Sequence, residues 1–200
     1  MKVSFPESVR WAIKRLNDAG YEAWAVGGCV RDSALGKEPH DWDMTTSALP
    51  EETMAVFADY PVIETGIKHG TVTIVVDGEP LEITTYRVDG SYSDGRHPDG
   101  VSFTRSLEAD MARRDFTINA MAAHPEKGIV DCFGGLEDLK NGVIRCVGDP
   151  ERRFSEDALR ILRAMRFSAV LGFPVEEKTA EALLKIRENL RHVAMERIFS

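Results

Sequence analysis

The sequence predicts an α+β fold, a mixed β-sheet flanked by helices and followed by an all-helical segment. Three observations carry that prediction. Short β-branched stretches interleave with helix-period stretches up to about Arg145. Glycine, proline and Asp-Gly pairs separate these segments. From Pro150 onward strand signals vanish and only helical spacing is left.

Taken in order, Val9, Ile13 and Leu16 recur at helical spacing between Pro6 and Ala19, and Gly20 stands where a helix would stop. YEAWAVGG, residues 21–28, is aromatic and valine-containing and runs into two glycines, so it reads as a buried strand feeding a turn, with a short helix to about Leu35. HDWDMTT (40–46) reads as a second strand, and PEETMAVFADY (50–60) as a helix with proline in its first turn. TVTIVV (71–76) and LEITTYRV (81–88) are two strands around Asp77-Gly78. DGSYSDGRHPDG (89–100) packs three turn signals into one stretch, which predicts a mobile loop. Beyond it, EDALRILRAMRFSAVLGF (156–173) and EEKTAEALLKIRENL (176–190) are two helices with Gly172 and Pro174 between them. A boundary near Val147 therefore divides a head, residues 1–146, from the start of a helical neck, residues 147–200. The last residues, VAMERIFS, read as the opening of a further helix, and the chain as a fragment.

Composition narrows the function. With 43% hydrophobic and 29% charged residues the chain can bury a core. A net charge of −8 argues against gripping nucleic acid by bulk positive charge, so any such contact must come from local basic clusters. Three separated cysteines without CxxC spacing suggest neither a disulfide framework nor a zinc site, and fit a reducing, cytoplasmic compartment. No apolar run reaches the roughly 18 residues that span a bilayer.

The chemistry concentrates in VGGCVRDSALGKEPHDWDMTT, residues 26–46. On a strand, Asp41 and Asp43 project to one side while Trp42 turns to the other. Two carboxylates aimed at one point are unfavourable unless a cation sits between them, and Mg²⁺ takes one or two carboxylates with phosphate oxygens and waters. A two-metal phosphoryl transfer uses such a pair, and Glu82 is a candidate third ligand. Gly27 and Gly28 end a strand before a helix, where backbone N–H groups and the helix end suit a triphosphate. Arg31 is placed to contact phosphate, and Asp32 to stabilise the helix end or orient Arg31.

This stretch resembles the GGxxRDxxLG…DxD signature of the class II tRNA nucleotidyltransferases (CCA-adding enzymes) and bacterial poly(A) polymerases of the nucleotidyltransferase β superfamily. RRDFTINAMA (113–122) resembles their ribose-recognition motif, DCFGGLEDL (131–139) the connecting motif, EDALRILRAMRF (156–167) the nucleotide-selecting helix, and ERIF (196–199) the opening of the next one. The resemblance implies a nucleotidyltransferase head and helical neck. Its activity would be template-independent, Mg²⁺-dependent addition of C and A residues to the tRNA 3′ end from CTP and ATP, with release of pyrophosphate. A poly(A) polymerase using ATP only, and CC-adding or A-adding enzymes of partial activity, share the motifs. The loop at 89–100 lies where the family carries one implicated in switching from CTP to ATP.

The resemblance implies ribose binding by Arg114, Asp115 and Asn119, and base selection by Asp157, Arg160 and Arg163 with Glu156 orienting them. Cytosine and adenine both place an exocyclic amine donor beside a ring-nitrogen acceptor on their pairing edge. Asp157 can accept and Arg160 donate, on one face of the expected helix. Uracil and guanine reverse that order, and each buried polar group left unpaired costs about 1–3 kcal/mol. A phosphohydrolase using His40-Asp41 is disfavoured, because His69, His97, His124 and His192 show no metal-binding spacing.

Overall fold

The computed structural model describes residues 3–64, 66–90 and 100–192. Most of the segment expected to be a loop, residues 91–99, and the final VAMERIFS lie outside the described residues. The fold is a mixed α/β arrangement built on a seven-stranded sheet.

The first helix, α1 (Glu7–Asp18), buries Val9, Ala12, Ile13 and Leu16, and Gly20 closes it at φ 88°. Strand β1 (Ala23–Val26) follows and is buried on both faces. Next come α2 (Gly28–Ala34), β2 (Asp43–Thr46) and α3 (Pro50–Val56), the last with Pro50 in its first turn. β3 (Val62–Ile63) leads to β4 (Thr71–Val76) and β5 (Glu79–Thr85), joined by a tight turn in which Asp77 and Gly78 have φ 53° and 86°. A separate ribbon pairs β6 (Arg87–Asp89) with β7 (Val101–Phe103). The chain then forms α4 (Leu107–Ala112), a 3-10 turn (Thr117–Asn119), β8 (Met121–His124), β9 (Gly128–Asp131) and α5 (Gly135–Asn141). Three helices close the described chain: α6 (Pro150–Glu156), α7 (Leu159–Leu171) and α8 (Glu177–Ile186).

The strand order is β3-β4-β5-β2-β1-β8-β9. Every pairing is antiparallel except β2 with β5, whose connection crosses over through α3, β3 and β4. Alternate residues of β1 feed two cores. Ala23 and Ala25 join α1, Met44, Ile74 and Ile83, whereas Trp24 and Val26 join Tyr86, Met111, Ala120 and Ala122. Phe154, Ile161, Ala164 and Ala182 of the terminal helices extend the first core.

Two expectations are corrected. The strand expected over HDWDMTT begins only at Asp43, with Asp41 in the chain leading into it. The helix expected from Glu156 breaks in two, so Asp157 and Arg160 do not share a helical face. Asp157 is extended, with φ −144° and ψ 105°, and its Oδ1 accepts the Leu159 N–H at 2.9 Å. An aspartate that bonds the backbone two residues on competes with helix propagation, which is why α6 stops before it.

Candidate active site

The site forms where β1 runs out into Gly27. That residue has φ 77° and ψ −131°, a conformation open to glycine alone. A Cβ placed there would stand 3.1 Å from Arg114 Nη1 and 3.9 Å from Asp43 Oδ2, so the bare backbone lets an arginine and a carboxylate converge. The Gly27 carbonyl receives the Arg31 N–H at 3.1 Å, which opens α2. Within α2, Asp32 grips Arg31 through both oxygens, from Nε at 2.8 Å and from Nη2 at 3.0 Å. Both are charge-assisted bonds.

Asp43 pairs in register with Val26 on one side and Glu82 on the other. Directly opposed residues share a face, so Asp43 and Glu82 project together. Asp41 and Asp43 are both exposed. The protein walls around Asp43 still push its carboxyl above the usual carboxylate range; Arg114 opposes that rise and the Asp41 charge adds to it. Behind this floor, Cys29 donates weakly to the Val26 carbonyl at 3.2 Å, and burial pushes its thiol to about 12.

A cavity of about 550 Å³ opens over these residues. It is reached by Gly27, Gly28 and Arg31 from one wall, by Asp41 and Asp43 from the floor, and by Arg114, Asp115 and Asn119 from the segment after α4. Asp157, from the break between α6 and α7, and Arg160, Arg163, Arg166 and Phe167 of α7 close it. Glu82 lies apart from this group. It lines a neighbouring cavity of about 600 Å³ with His40 and Trp42, and Asp41 and Asp43 form the rim common to both.

The donor chemistry bears on a metal. Among the described residues no group of three His, Cys, Asp or Glu side chains is gathered closely enough to hold an ion alone. Two carboxylates on one cavity floor, with Asp43 desolvated and repelled by the Asp41 charge, nevertheless fit a hard divalent ion that completes its shell with phosphate oxygens and water.

The rest of the wall is a network. Asp115 Oδ1 accepts the Phe116 N–H at 2.8 Å and Asn119 Nδ2 at 3.3 Å, and its Oδ2 accepts Arg163 Nε at 2.7 Å. Asn119 Oδ1 in turn accepts Arg31 Nη1 at 2.9 Å. Arg160, almost fully buried, donates to Glu156 Oε2 at 2.8 Å and to the carbonyls of Arg153 and Arg113. Glu156 thus holds Arg160, and it also receives Arg153 at 2.8 Å.

Two contributors escaped the sequence reading. Asp110, fully buried, receives Arg113 Nε at 2.9 Å, Arg114 Nη2 at 3.5 Å and the Arg87 N–H at 3.2 Å, anchoring the arginine pair from behind. Its spacing three and four residues before those arginines is the one signal available. Phe167 lies against the guanidinium groups of Arg31 and Arg163, and its position four residues after Arg163 in a helical stretch is the corresponding hint.

Residues 23–145 match the Poly A polymerase head domain family. The CCA-adding enzyme of Leuconostoc mesenteroides is 53% identical over 186 residues, covering 93% of this chain and 46% of that protein. The CCA-adding enzyme of Oceanobacillus iheyensis is 53% identical over 179 residues, covering 90% and 44%. The chain thus spans about half the length of the relatives it matches. Among solved structures, the Bacillus stearothermophilus CCA-adding enzyme in complex with CTP superposes with a TM-score of 0.88 at 44% identity, over 99% of this chain and 47% of that one. The Thermotoga maritima CCA-adding enzyme complexed with tRNA superposes with a TM-score of 0.80 at 29% identity, over 98% and 46%.

Proposed function

Because the chain belongs to the Poly A polymerase head domain family, we propose that it is the catalytic head, residues 1–146, and opening neck, residues 147–200, of a cytoplasmic tRNA nucleotidyltransferase. Its reaction is template-independent addition of C and A residues to the tRNA 3′ end from CTP and ATP. The observation that carries this reading is a single cavity shared by a carboxylate pair, a glycine turn beside an oriented arginine, and an Asp157–Arg160–Arg163 wall.

In the reaction the tRNA 3′-hydroxyl attacks the α-phosphorus of the nucleotide, the new phosphodiester forms, and the α–β bond breaks to release pyrophosphate. Asp41 and Asp43 are the residues that would hold two Mg²⁺ ions, with Glu82, in register with Asp43, as the candidate third ligand. Those ions, when bound, would lower the pKa of the attacking hydroxyl and neutralise charge on the leaving pyrophosphate. Gly27 and Gly28 let the triphosphate approach the backbone, and Arg31, steadied by Asp32, meets its charge. Arg114, Asp115 and Asn119 take the ribose, whose 2′-hydroxyl exchanges into the Asp115–Asn119 hydrogen bond. Arg160, fixed by Glu156, presents donors beside the Asp157 acceptor to the base edge, with Arg163 alongside.

The test is incubation of the intact protein with tRNA lacking its terminus, magnesium and each labelled nucleotide in turn. Incorporation of CTP and then ATP, with pyrophosphate release abolished by a chelator, is expected. ATP alone would indicate an A-adding enzyme or a poly(A) polymerase, CTP alone a CC-adding enzyme, and no incorporation would reject the reading.

A further inference from the structure

The wall of the cavity contains a closed circuit of contacts in which one member is apolar. Arg31 bonds Asn119 at 2.9 Å, Asn119 bonds Asp115 at 3.3 Å, and Asp115 bonds Arg163 at 2.7 Å. The circuit closes through Phe167, whose ring centroid lies 5.1 Å from the Arg31 guanidinium carbon and 5.3 Å from that of Arg163. Phe116 fixes the ring from the side, at 5.8 Å between centroids and 83° between planes. Two guanidinium groups gathered at one ring repel each other, and the electron-rich aromatic face offsets that repulsion where an aliphatic side chain would not.

We propose that Phe167 is a positioning residue for the nucleotide: it holds the phosphate-side arginine, Arg31, and the base-side arginine, Arg163, in the geometry the nucleotide meets. The inference rests on the functional reading above and adds to it a link between α7 and α2. The ring lines the same cavity as the two arginines, and the role assigned to it is to hold them. It acts by sparing the nucleotide the cost of ordering two long cationic side chains at the moment of binding.

The test compares the intact protein with Phe167→Leu, which keeps apolar volume without a π face, and Phe167→Tyr, which restores the face. Magnesium–CTP and magnesium–ATP affinities are measured by calorimetric titration below the melting temperature of each variant. Phe167→Leu is expected to weaken both nucleotides by about tenfold and Phe167→Tyr to return affinity to within about twofold of the unsubstituted protein. If Phe167→Leu does not fold, Phe167→Met takes its place. In combination with Arg163→Ala the loss on changing Phe167 is expected to shrink, because one of its two partners is gone. Unchanged affinity in the aliphatic variant, or failure of tyrosine to restore it, overturns the inference. An unsubstituted protein that binds neither nucleotide overturns the functional reading and this inference with it.

Discussion

Replacing Glu156 with glutamine tests the base selection proposed for Arg160, because this carboxylate lies under Arg160 rather than in the cavity. Its Oε2 accepts Arg160 Nη1 and Arg153 Nη1, both at 2.8 Å, and the side chains concerned are at most 13% exposed. Its third partner, Arg152, is 74% exposed and contributes little. Glutamine keeps one oxygen acceptor and loses the charge, so two ion pairs become weaker bonds from a cation to a neutral amide oxygen; at about 1 kcal/mol lost for each, the fold is destabilised by about 2 kcal/mol. For a chain of this size that lowers the melting temperature by about 4–8 °C. Arg160 keeps its bonds to the Arg153 and Arg113 carbonyls, at 3.0 and 3.2 Å, so it stays in the wall but is free to tilt. Discrimination against UTP and GTP, measured as ratios of kcat/KM on tRNA lacking its terminus, is expected to fall by about tenfold, with CTP and ATP use little changed. The melting shift without any loss of discrimination would refute the reasoning, since the two carbonyls would then suffice to aim Arg160.

Two further substitutions probe the floor. Gly27→Ala forces a Cβ into φ 77° and against Arg114 Nη1 at 3.1 Å; a stability loss of about 1–3 kcal/mol in denaturant titration, with weakened nucleotide binding, is expected, and an unaltered midpoint would contradict the strain. Asp43→Asn removes a carboxyl that burial and Asp41 hold above its usual pKa. A carboxyl raised in the folded state favours folding below its unfolded pKa, and that favour is lost as pH rises through the folded value. At neutral pH without metal the asparagine variant is therefore expected to be at least as stable as the unsubstituted protein, the gap closing in acid, while incorporation is abolished. A variant clearly less stable at neutral pH would show that pairing with Arg114 outweighs burial.

What the sequence made legible was local. The apolar spacing of Val9, Ile13 and Leu16 gave α1, the β-branched run 71–76 gave β4, and two glycines after a short apolar stretch gave the turn at Gly27, because each signal is complete within a few residues. The DxD spacing foretold two neighbouring carboxylates even though Asp41 stands outside the strand. Asp157 was misplaced because its side chain, at 2.9 Å from the Leu159 N–H, prefers a local backbone bond to the helix that the surrounding pattern favours.

What stayed hidden depends on long-range closure. Asp110 gains its importance from Thr45, 65 residues earlier, from the Arg87 amide and from the arginines it backs, and no spacing rule joins these. The same holds for Phe167, whose aromaticity reads as core until Arg31, far upstream, arrives at its face. Both residues act on arginines that the motifs did reveal. A motif therefore names the groups that can meet a ligand, while the residues that keep those groups aimed are recruited from wherever the sheet and helices bring the chain together. A buried carboxylate can do this for Arg113 and Arg114 only because α4 turns them back over Asp110, and an aromatic ring can do it for Arg31 only because α7 lies across α2's end of the cavity.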